Sequence, residues 1–132
     1  MQSPEYVVDE PLTDTDSHLR KFQKELAAGT VSLVLLAVLA GSDEPLYGYQ
    51  IAKRLQASGG ALFSDKQSAL YPVLRNLHAA GLLDSHVEPS VSGPPRRYYR
   101  ITAQGRAVFH DWAAIWDDTR RSVDSVLKES TP

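Results

Sequence analysis

Three arginines and two tyrosines stand together near residue 100, in the stretch Gly93-Pro94-Pro95-Arg96-Arg97-Tyr98-Tyr99-Arg100-Ile101-Thr102. A guanidinium group binds phosphate oxygens through several N–H donors, so each of these arginines is a candidate for a contact with a phosphate. A basic stretch with interleaved aromatic residues is typical of nucleic-acid binding, although solvated arginines are also common on any protein surface. The rest of the chain must decide between these two interpretations.

The net charge of −2 conceals an uneven distribution of charge. Residues 1–30 carry six acidic and three basic side chains, whereas residues 46–100 carry seven basic and three acidic ones. Because a phosphate backbone responds to the local field rather than to the total charge, residues 46–100 are compatible with DNA binding.

Composition and spacing exclude most other classes of function. The chain has no cysteine, and its four histidines lie apart without metal-ligand spacing. No catalytic triad, paired carboxylates or phosphate-binding glycine loop is found in the sequence, so we expect no enzyme activity, no cofactor and no metal. The longest apolar run, residues 31–40, is too short to span a bilayer, and the N-terminus lacks an apolar signal core. We therefore expect a single-domain cytoplasmic protein without membrane contact.

Helical periodicity covers the first two thirds of the chain. Residues 1–18 are acidic and aperiodic and predict a flexible tail. A helical pattern starts at Leu19, with a break or bend at Gly29, and continues as an apolar helix to residue 39. A second helix is predicted over residues 47–56. A third is predicted from an N-cap at Ser64 to Gly81, with its first turns distorted by Pro72.

Residues 82–87 and 97–101 predict two strands around a tip at residues 88–95. Strand alternation places Tyr99 and Ile101 on one face and Tyr98 and Arg100 on the other. Thr102 is a candidate N-cap of a long last helix. The order of elements is that of a winged helix-turn-helix, a mostly α (α+β) fold with a two-stranded β-wing.

This fold divides the chain into an acidic tail (1–18), a DNA-binding domain (19–102) and a dimerisation helix (103–129). The helix from Ser64 would enter the major groove of double-stranded DNA with its N-terminus first. Its outward side chains are Lys66, Gln67, Ser68, Tyr71 and Arg75, which can meet phosphates or base edges.

The last helix carries an apolar seam at spacings of three and four residues, formed by Phe109, Trp112, Trp116, Thr119, Val123 and Val126. Such a seam predicts pairing with a second copy, which would place the two recognition helices about 34–36 Å apart. Trp112 and Trp116 could also line an apolar cavity for a flat aromatic ligand, although aromatic residues at helical spacing more often belong to a core.

Four sequence blocks together resemble the PadR family of bacterial transcriptional regulators over about residues 26–126. They are Leu46-Tyr47-Gly48-Tyr49-Gln50-Ile51-Ala52, Leu70-Tyr71-Pro72-Val73-Leu74, Ala80-Gly81-Leu82-Leu83, and Arg97-Tyr98-Tyr99-Arg100-Ile101-Thr102 with Gly105. The resemblance implies a homodimeric repressor of the short subfamily, in which a single C-terminal helix forms the dimer interface.

The resemblance also implies roles for particular residues. Tyr71, Arg96 and Arg97 would touch the DNA backbone, and Trp116 would stack planar drugs in a pore at the dimer centre, as in multidrug-sensing members. Residues 65–69 and 93–95 depart from the family pattern, which leaves the operator sequence and the reach of the wing open.

The sequence thus predicts a homodimeric repressor that binds a pseudo-palindromic operator through the helix from Ser64 and the Arg96–Arg97 wing. A small apolar or aromatic effector would release it from DNA. The alternative is a winged-helix protein-interaction module without sequence-specific DNA binding.

Overall fold

The computed structural model describes residues 14–59 and 69–130. Four helices and three strands lie in these ranges: α1 (Asp14–Ala40), β1 (Leu46–Tyr47), α2 (Gly48–Gly59), α3 (Tyr71–Ala79), β2 (Leu83–Ser90), β3 (Gly93–Ile101) and α4 (Ala103–Ser130). The strands form one antiparallel sheet in the order β1-β3-β2. The predicted fold class, mostly helical with a small β-wing, is confirmed.

Helix α1 is continuous over 27 residues. It begins at Asp14, so the predicted start near Leu19 is wrong, and residues 14–18 of the predicted tail are helical. Two acidic residues in the first turn, Asp14 and Asp16, favour this start because they face the positive end of the helix dipole. The predicted break at Gly29 is also wrong, since one glycine costs only about 1 kcal/mol relative to alanine.

By length and apolar composition α1 would suffice to cross a membrane. The apolar run that the sequence marked as too short is therefore part of a longer helix. Its C-terminal half nevertheless supplies the centre of the protein core, where Leu35, Leu36 and Leu39 are at most 2% exposed.

The strands, α2 and α3 each contribute buried side chains to the core, whereas α4 packs against it with the partly buried Val108, Phe109 and Trp112. The remaining buried members of the core are Leu46, Ile51, Leu55, Leu74, Leu77, Leu82, Leu83, Tyr99 and Ile101. The predicted alternation along β3 is confirmed, because Tyr99 and Ile101 are buried while Arg100 is exposed. This alternation leaves the opposite face of the sheet available for polar and aromatic side chains.

Helix α3 starts later than the sequence predicts. Leu70 is its N-cap and Pro72 lies in its first turn, so the α-helix does not extend unbroken from Ser64 through the proline. In the first turn the missing N–H of proline has no intrahelical partner to lose, which makes this position favourable. Ser64 lies outside the described residues.

The wing is longer than predicted, and its tip is reduced to residues 91–92. The predicted tip at 88–95 is wrong because β2 continues to Ser90 and β3 resumes at Gly93. Pro89 lies on the edge strand β2, where the register shifts between Glu88 and Ser90. An edge strand tolerates proline, which cannot donate to the ladder.

The first turn of α4 is fixed against the turn between α3 and β2. Thr102 Oγ1 donates to the carbonyl of Gly81 at 2.8 Å and accepts from the N–H of Gly105 at 2.9 Å, which confirms Thr102 as N-cap. A Cβ at Gly105 would overlap the carbonyl oxygen of Leu82 and lie 2.8 Å from Ile101 Cγ1. The glycine therefore permits the close approach of α4 to the start of β2 and the end of β3.

Candidate functional site

A cleft of about 510 Å³ separates α3 from the wing. Three arginines, Arg75, Arg96 and Arg97, line it, and none of its described lining residues carries a negative charge. Its other walls are formed by Tyr47, Gly48, Tyr71, Ser90, Ser92, Gly93, Pro94, Pro95 and Tyr99. We refer to this space as the wing cleft.

The floor of the wing cleft depends on a glycine at the start of α2. A Cβ at Gly48 would lie 2.6 Å from Cε1 and 2.8 Å from the hydroxyl oxygen of Tyr71. The absence of a side chain at Gly48 thus lets the half-buried Tyr71 ring lie against the backbone of α2. This contact between Tyr71 and Gly48 fixes the position of the first turn of α3 relative to α2.

Arg97 lies on the wing face that it shares with Tyr99. Its Nη1 atom donates a hydrogen bond to Ser85 Oγ on the neighbouring strand at 2.9 Å. This bond ties the arginine side chain to β2.

Arg96 lies on the opposite face of β3, beside a row of aromatic rings. Its Cζ atom lies 4.5 Å from the centroid of the Tyr47 ring. The Tyr47 ring meets Tyr98 edge-on at a centroid distance of 5.3 Å, and Tyr98 stacks on His86 at 5.5 Å. The imidazole of His86 in turn contacts the Glu88 carboxylate, with Nε2 and Oε2 2.7 Å apart. We call these three rings the aromatic row.

The structure brings together only part of the predicted DNA-binding set. Tyr71, Arg75, Arg96 and Arg97 all line the wing cleft. Arg100 is exposed but does not line the cleft; it lies opposite Asp84 in the sheet register. The predicted base-reading residues Lys66, Gln67 and Ser68 lie outside the described residues.

Sequence reasoning did not place Tyr47 beside Arg96. The contact depends on β1, a two-residue strand that pairs with Tyr98 and Tyr99 and that has no periodicity of its own. The spacing of Tyr47 and Tyr49 within the block Leu46-Tyr47-Gly48-Tyr49 could have drawn attention to this segment, because alternate aromatic residues are typical of strands.

A second cavity, of about 420 Å³, lies between α1 and α4. Trp112 and Trp116 both line it, together with Ile115 and Thr119 of α4. The lining residues of α1 are Glu25, Leu26, Gly29, Thr30, Ser32 and Leu33. Glu25 supplies the only ionisable side chain among the described lining residues. The two tryptophans that the sequence marked as ligand candidates therefore share one apolar space.

The predicted dimer seam divides into two parts. Phe109 and Trp112 are half-buried and pack against the protein's own core. The later members are exposed: Trp116, Thr119, Val123 and Val126. Further exposed apolar side chains near them were not part of the predicted set: Leu19, Phe22, Leu26, Ile115 and Leu127.

An ion-pair network lies on α4 next to this surface. Arg120 contacts Asp117 at 2.6 Å, and Arg121 contacts the same carboxylate at 3.0 Å. The hydrogen bond from Arg120 lowers the pKa of Asp117 and raises that of Arg120 itself. Within residues 14–59 and 69–130, no three His, Asp or Glu side chains are close enough together to hold a metal ion.

The sequence profile of the PadR-like family of transcriptional regulators matches residues 35–111. This span contains residues 35–40 of α1 together with α2, α3, the wing and Gly105, and therefore the whole described wing cleft. The chain belongs to the PadR-like family. Its members are transcriptional regulators, which confirms both the resemblance carried by the four sequence blocks and the expectation that the protein is not an enzyme.

Solved structures share the fold of this PadR-like protein. A PadR family transcriptional regulator from Eggerthella lenta is 32% identical, covers 89% of this chain and 97% of its own, and has a TM-score of 0.72. A transcriptional regulator from Clostridium thermocellum is 25% identical over 76% of this chain and 93% of its own, with a TM-score of 0.66. An uncharacterised protein from Lysinibacillus sphaericus is 24% identical over 106 residues, or 80% of this chain and 95% of that protein.

Proposed function

We propose that this PadR-like regulator is a homodimeric repressor that acts on DNA in the cytoplasm. It binds a pseudo-palindromic operator through the wing cleft and through the segment that includes Lys66, Gln67 and Ser68. A small apolar or aromatic effector releases it. The observation that carries the proposal is the wing cleft, which three arginines line and to which no described lining residue contributes a negative charge.

The geometry of the wing cleft fits a DNA backbone better than a protein partner. Arg75 approaches from α3 while Arg96 and Arg97 approach from β3, so cations face the cleft from two directions. Arginine presents donors in a fork that matches phosphate oxygens. Tyr71 also lines the cleft, and tyrosine is among the side chains that contact phosphate oxygens in protein–DNA complexes.

Dimerisation is supported by the apolar surface that α1 and α4 share. The side chains of Trp116, Val123, Val126 and Leu127 are between 42% and 65% exposed. Monomeric soluble proteins rarely leave a contiguous apolar surface of this kind uncovered. A second copy related by two-fold symmetry presents the same surface and is self-complementary to it.

The effector hypothesis is supported by the cavity between α1 and α4. The Trp116 ring offers a flat stacking surface, and the Glu25 carboxylate favours a ligand that carries a positive charge. Because the cavity lies on the apolar surface, a bound ligand would contact both subunits of the dimer. The ligand releases DNA only if it binds the DNA-free geometry more tightly than the DNA-bound one.

The test of DNA binding is a salt titration of affinity, measured by fluorescence anisotropy with a labelled duplex from the region upstream of the protein's own gene. The slope of log Kd against log salt should fall by about 0.9 for each phosphate contact removed. The double variant Arg96→Ala/Arg97→Ala should therefore flatten the slope by up to about two for each subunit.

The matched control is Lys21→Ala/Lys24→Ala, which removes two positive charges from exposed positions on α1. It should leave the slope nearly unchanged. A slope in the Arg96/Arg97 variant equal to that of the unmodified protein would show that the wing does not contact phosphate. Failure of the unmodified protein to bind any duplex at low salt would instead favour the protein-interaction alternative.

A further inference from the structure

The outer face of the sheet places one aromatic ring on each strand in a single row. Tyr47 of β1 is opposite Tyr98 of β3, and Tyr98 is opposite His86 of β2. Residues directly opposite one another in an antiparallel pair lie on the same face and contact each other. The aromatic row therefore crosses the whole sheet and connects the wing strands to the start of α2.

Arg96 joins this row at the Tyr47 ring. A guanidinium group above a ring face keeps its N–H donors along its own edge, so stacking on Tyr47 leaves these donors free to meet a phosphate. The side chain of Arg96 is exposed, and without a contact it would sample many rotamers. The Tyr47 ring restricts this freedom before any DNA is bound.

Glu88 is the residue that could neutralise Arg96. The two are directly opposite each other in the register of β2 and β3 and so lie on the same face. Yet the Glu88 carboxylate contacts His86 at 2.7 Å, and within the described ranges Arg96 forms no ion pair. This distance is that of a hydrogen bond, so the Glu88 carboxylate is engaged by the imidazole. His86 thus holds the carboxylate away from the arginine.

We propose that Tyr47 and His86 are positioning residues for Arg96: Tyr47 fixes the guanidinium at the wing cleft, and His86 retains the carboxylate that would otherwise neutralise it. The proposal rests on the DNA-binding function proposed above, and it names the residues that set the strength of one contact. Neither positioning residue needs to touch DNA itself.

The first experiment tests Tyr47 with the duplex used above. Tyr47→Leu should weaken binding roughly two- to fivefold for each subunit, the range of an exposed cation–π contact. Tyr47→Phe keeps the ring and should bind within about 1.5-fold of the unmodified protein on the same scale. Tyr47→Leu should cause no further loss when Arg96 is already alanine. Equal losses in both backgrounds would overturn the role of Tyr47.

The second experiment tests His86 through its carboxylate partner. His86→Ala should weaken binding toward the level of Arg96→Ala, because Glu88 is then released to pair with Arg96. The double variant His86→Ala/Glu88→Gln should recover most of this loss. His110→Ala, which removes an exposed histidine of α4, should have no effect. If the Glu88→Gln change restores nothing, His86 acts in another way and this part of the proposal is wrong.

The failure of this proposal can be separated from the failure of DNA binding. If the unmodified protein binds no duplex, the Tyr47–Arg96 contact is still measurable in the free protein by thermal unfolding. Tyr47→Leu/Arg96→Ala should then lower the Tm by less than the two single changes together, because both remove the same contact. Strict additivity would show that the contact does not position Arg96.

Discussion

The wing cleft and the apolar surface of α1 and α4 differ in how far one chain completes them. In the wing cleft two of the three arginines contact a supporting group, since Arg96 lies over the Tyr47 ring and Arg97 donates to the Ser85 hydroxyl. On the other surface, Trp116 and Val123 extend into solvent. One chain thus supplies the supporting contacts of the cleft, whereas the apolar surface would be covered only in the homodimer that we propose.

The two surfaces also differ in their position relative to the residues that match the family profile. The match at residues 35–111 includes the wing cleft and ends just before Trp112. The part of the molecule that contacts DNA in our proposal therefore belongs to the shared fold, while most of the apolar surface belongs to the remainder of α4. Variants that alter only one of the two surfaces test whether the wing cleft and the apolar surface have these separate roles.

The largest effect is expected when charged residues replace apolar ones on the surface of α1 and α4. Val123→Asp/Val126→Asp would bury charges at the interface between two copies, and we expect dimerisation to weaken by about a thousandfold or more. Sedimentation equilibrium measures this change. Ser122→Asp/Ser125→Asp adds the same charge at neighbouring exposed positions off the seam and should remain dimeric. A dimer that survives both pairs of changes would place the interface elsewhere.

The second-largest effect, on the free energy of unfolding, is expected at Gly105, where α4 joins the sheet. Gly105→Ala places a methyl group against the Leu82 carbonyl, and we expect a loss of about 3 kcal/mol in the free energy of unfolding. Urea denaturation at fixed protein concentration measures it.

The matched control is Gly29→Ala, whose added methyl group meets no atom within 4 Å. It should stabilise α1 by about 0.5–1 kcal/mol, since alanine is the better helix former. Similar stabilities of the two variants would mean that the close approach at Gly105 relaxes without cost.

An intermediate effect is expected in the cavity between α1 and α4. Trp116→Ala should weaken the binding of a planar cationic dye such as ethidium about tenfold, because the stacking surface is lost. The anisotropy of the dye itself is measured, so the loss of a tryptophan fluorophore does not interfere. Ile115→Ala shortens an aliphatic side chain of the same cavity and should cost only about two- to threefold. Unchanged dye affinity in Trp116→Ala would exclude stacking on this ring.

The smallest effect concerns the ion pairs of α4. Arg120→Met removes the hydrogen bond that lowers the pKa of Asp117, so this pKa should rise toward its ordinary value. In the unmodified protein the depressed pKa contributes stability above the unfolded-state pKa, and this contribution is lost as the pH falls through the folded-state value. NMR titration of the Asp117 carboxyl measures the change. An unaltered pKa would assign the shift to Arg121 alone.

Local chemistry made much of the fold predictable from the sequence. The alternation of Tyr99 and Arg100 and the N-cap at Thr102 each depend on a few consecutive residues, and the structure agrees with both. The predicted helix end at Gly81 is one residue late, because Ala80 is the C-cap of α3. Gly81 has a φ of 81°, which is the left-handed conformation that glycine adopts most easily.

The wrong predictions share a cause: contacts between residues far apart in the sequence outweigh the local preferences from which the predictions were made. Gly29 does not end α1 because buried leucines further along the helix hold it in the core. The prolines of the wing do not end the strands because they lie at an edge or near the tip. The Tyr47–Arg96 contact joins residues about fifty positions apart through a two-residue strand, and no local pattern predicts such a pairing.

The first turn of α4 is held in place at Gly105, so a tilt of the whole helix would pivot about this residue. Gly105 lies near the N-terminal end of α4, and the 28 residues of this helix extend for roughly 42 Å. A tilt of about 5° around Gly105 would move the helix by roughly 1.5 Å at the level of Trp116 and by more than about 3 Å at its far end. A tilt of α4 about Gly105 would therefore displace the exposed apolar side chains near the end of α4 further than the residues of its first turn.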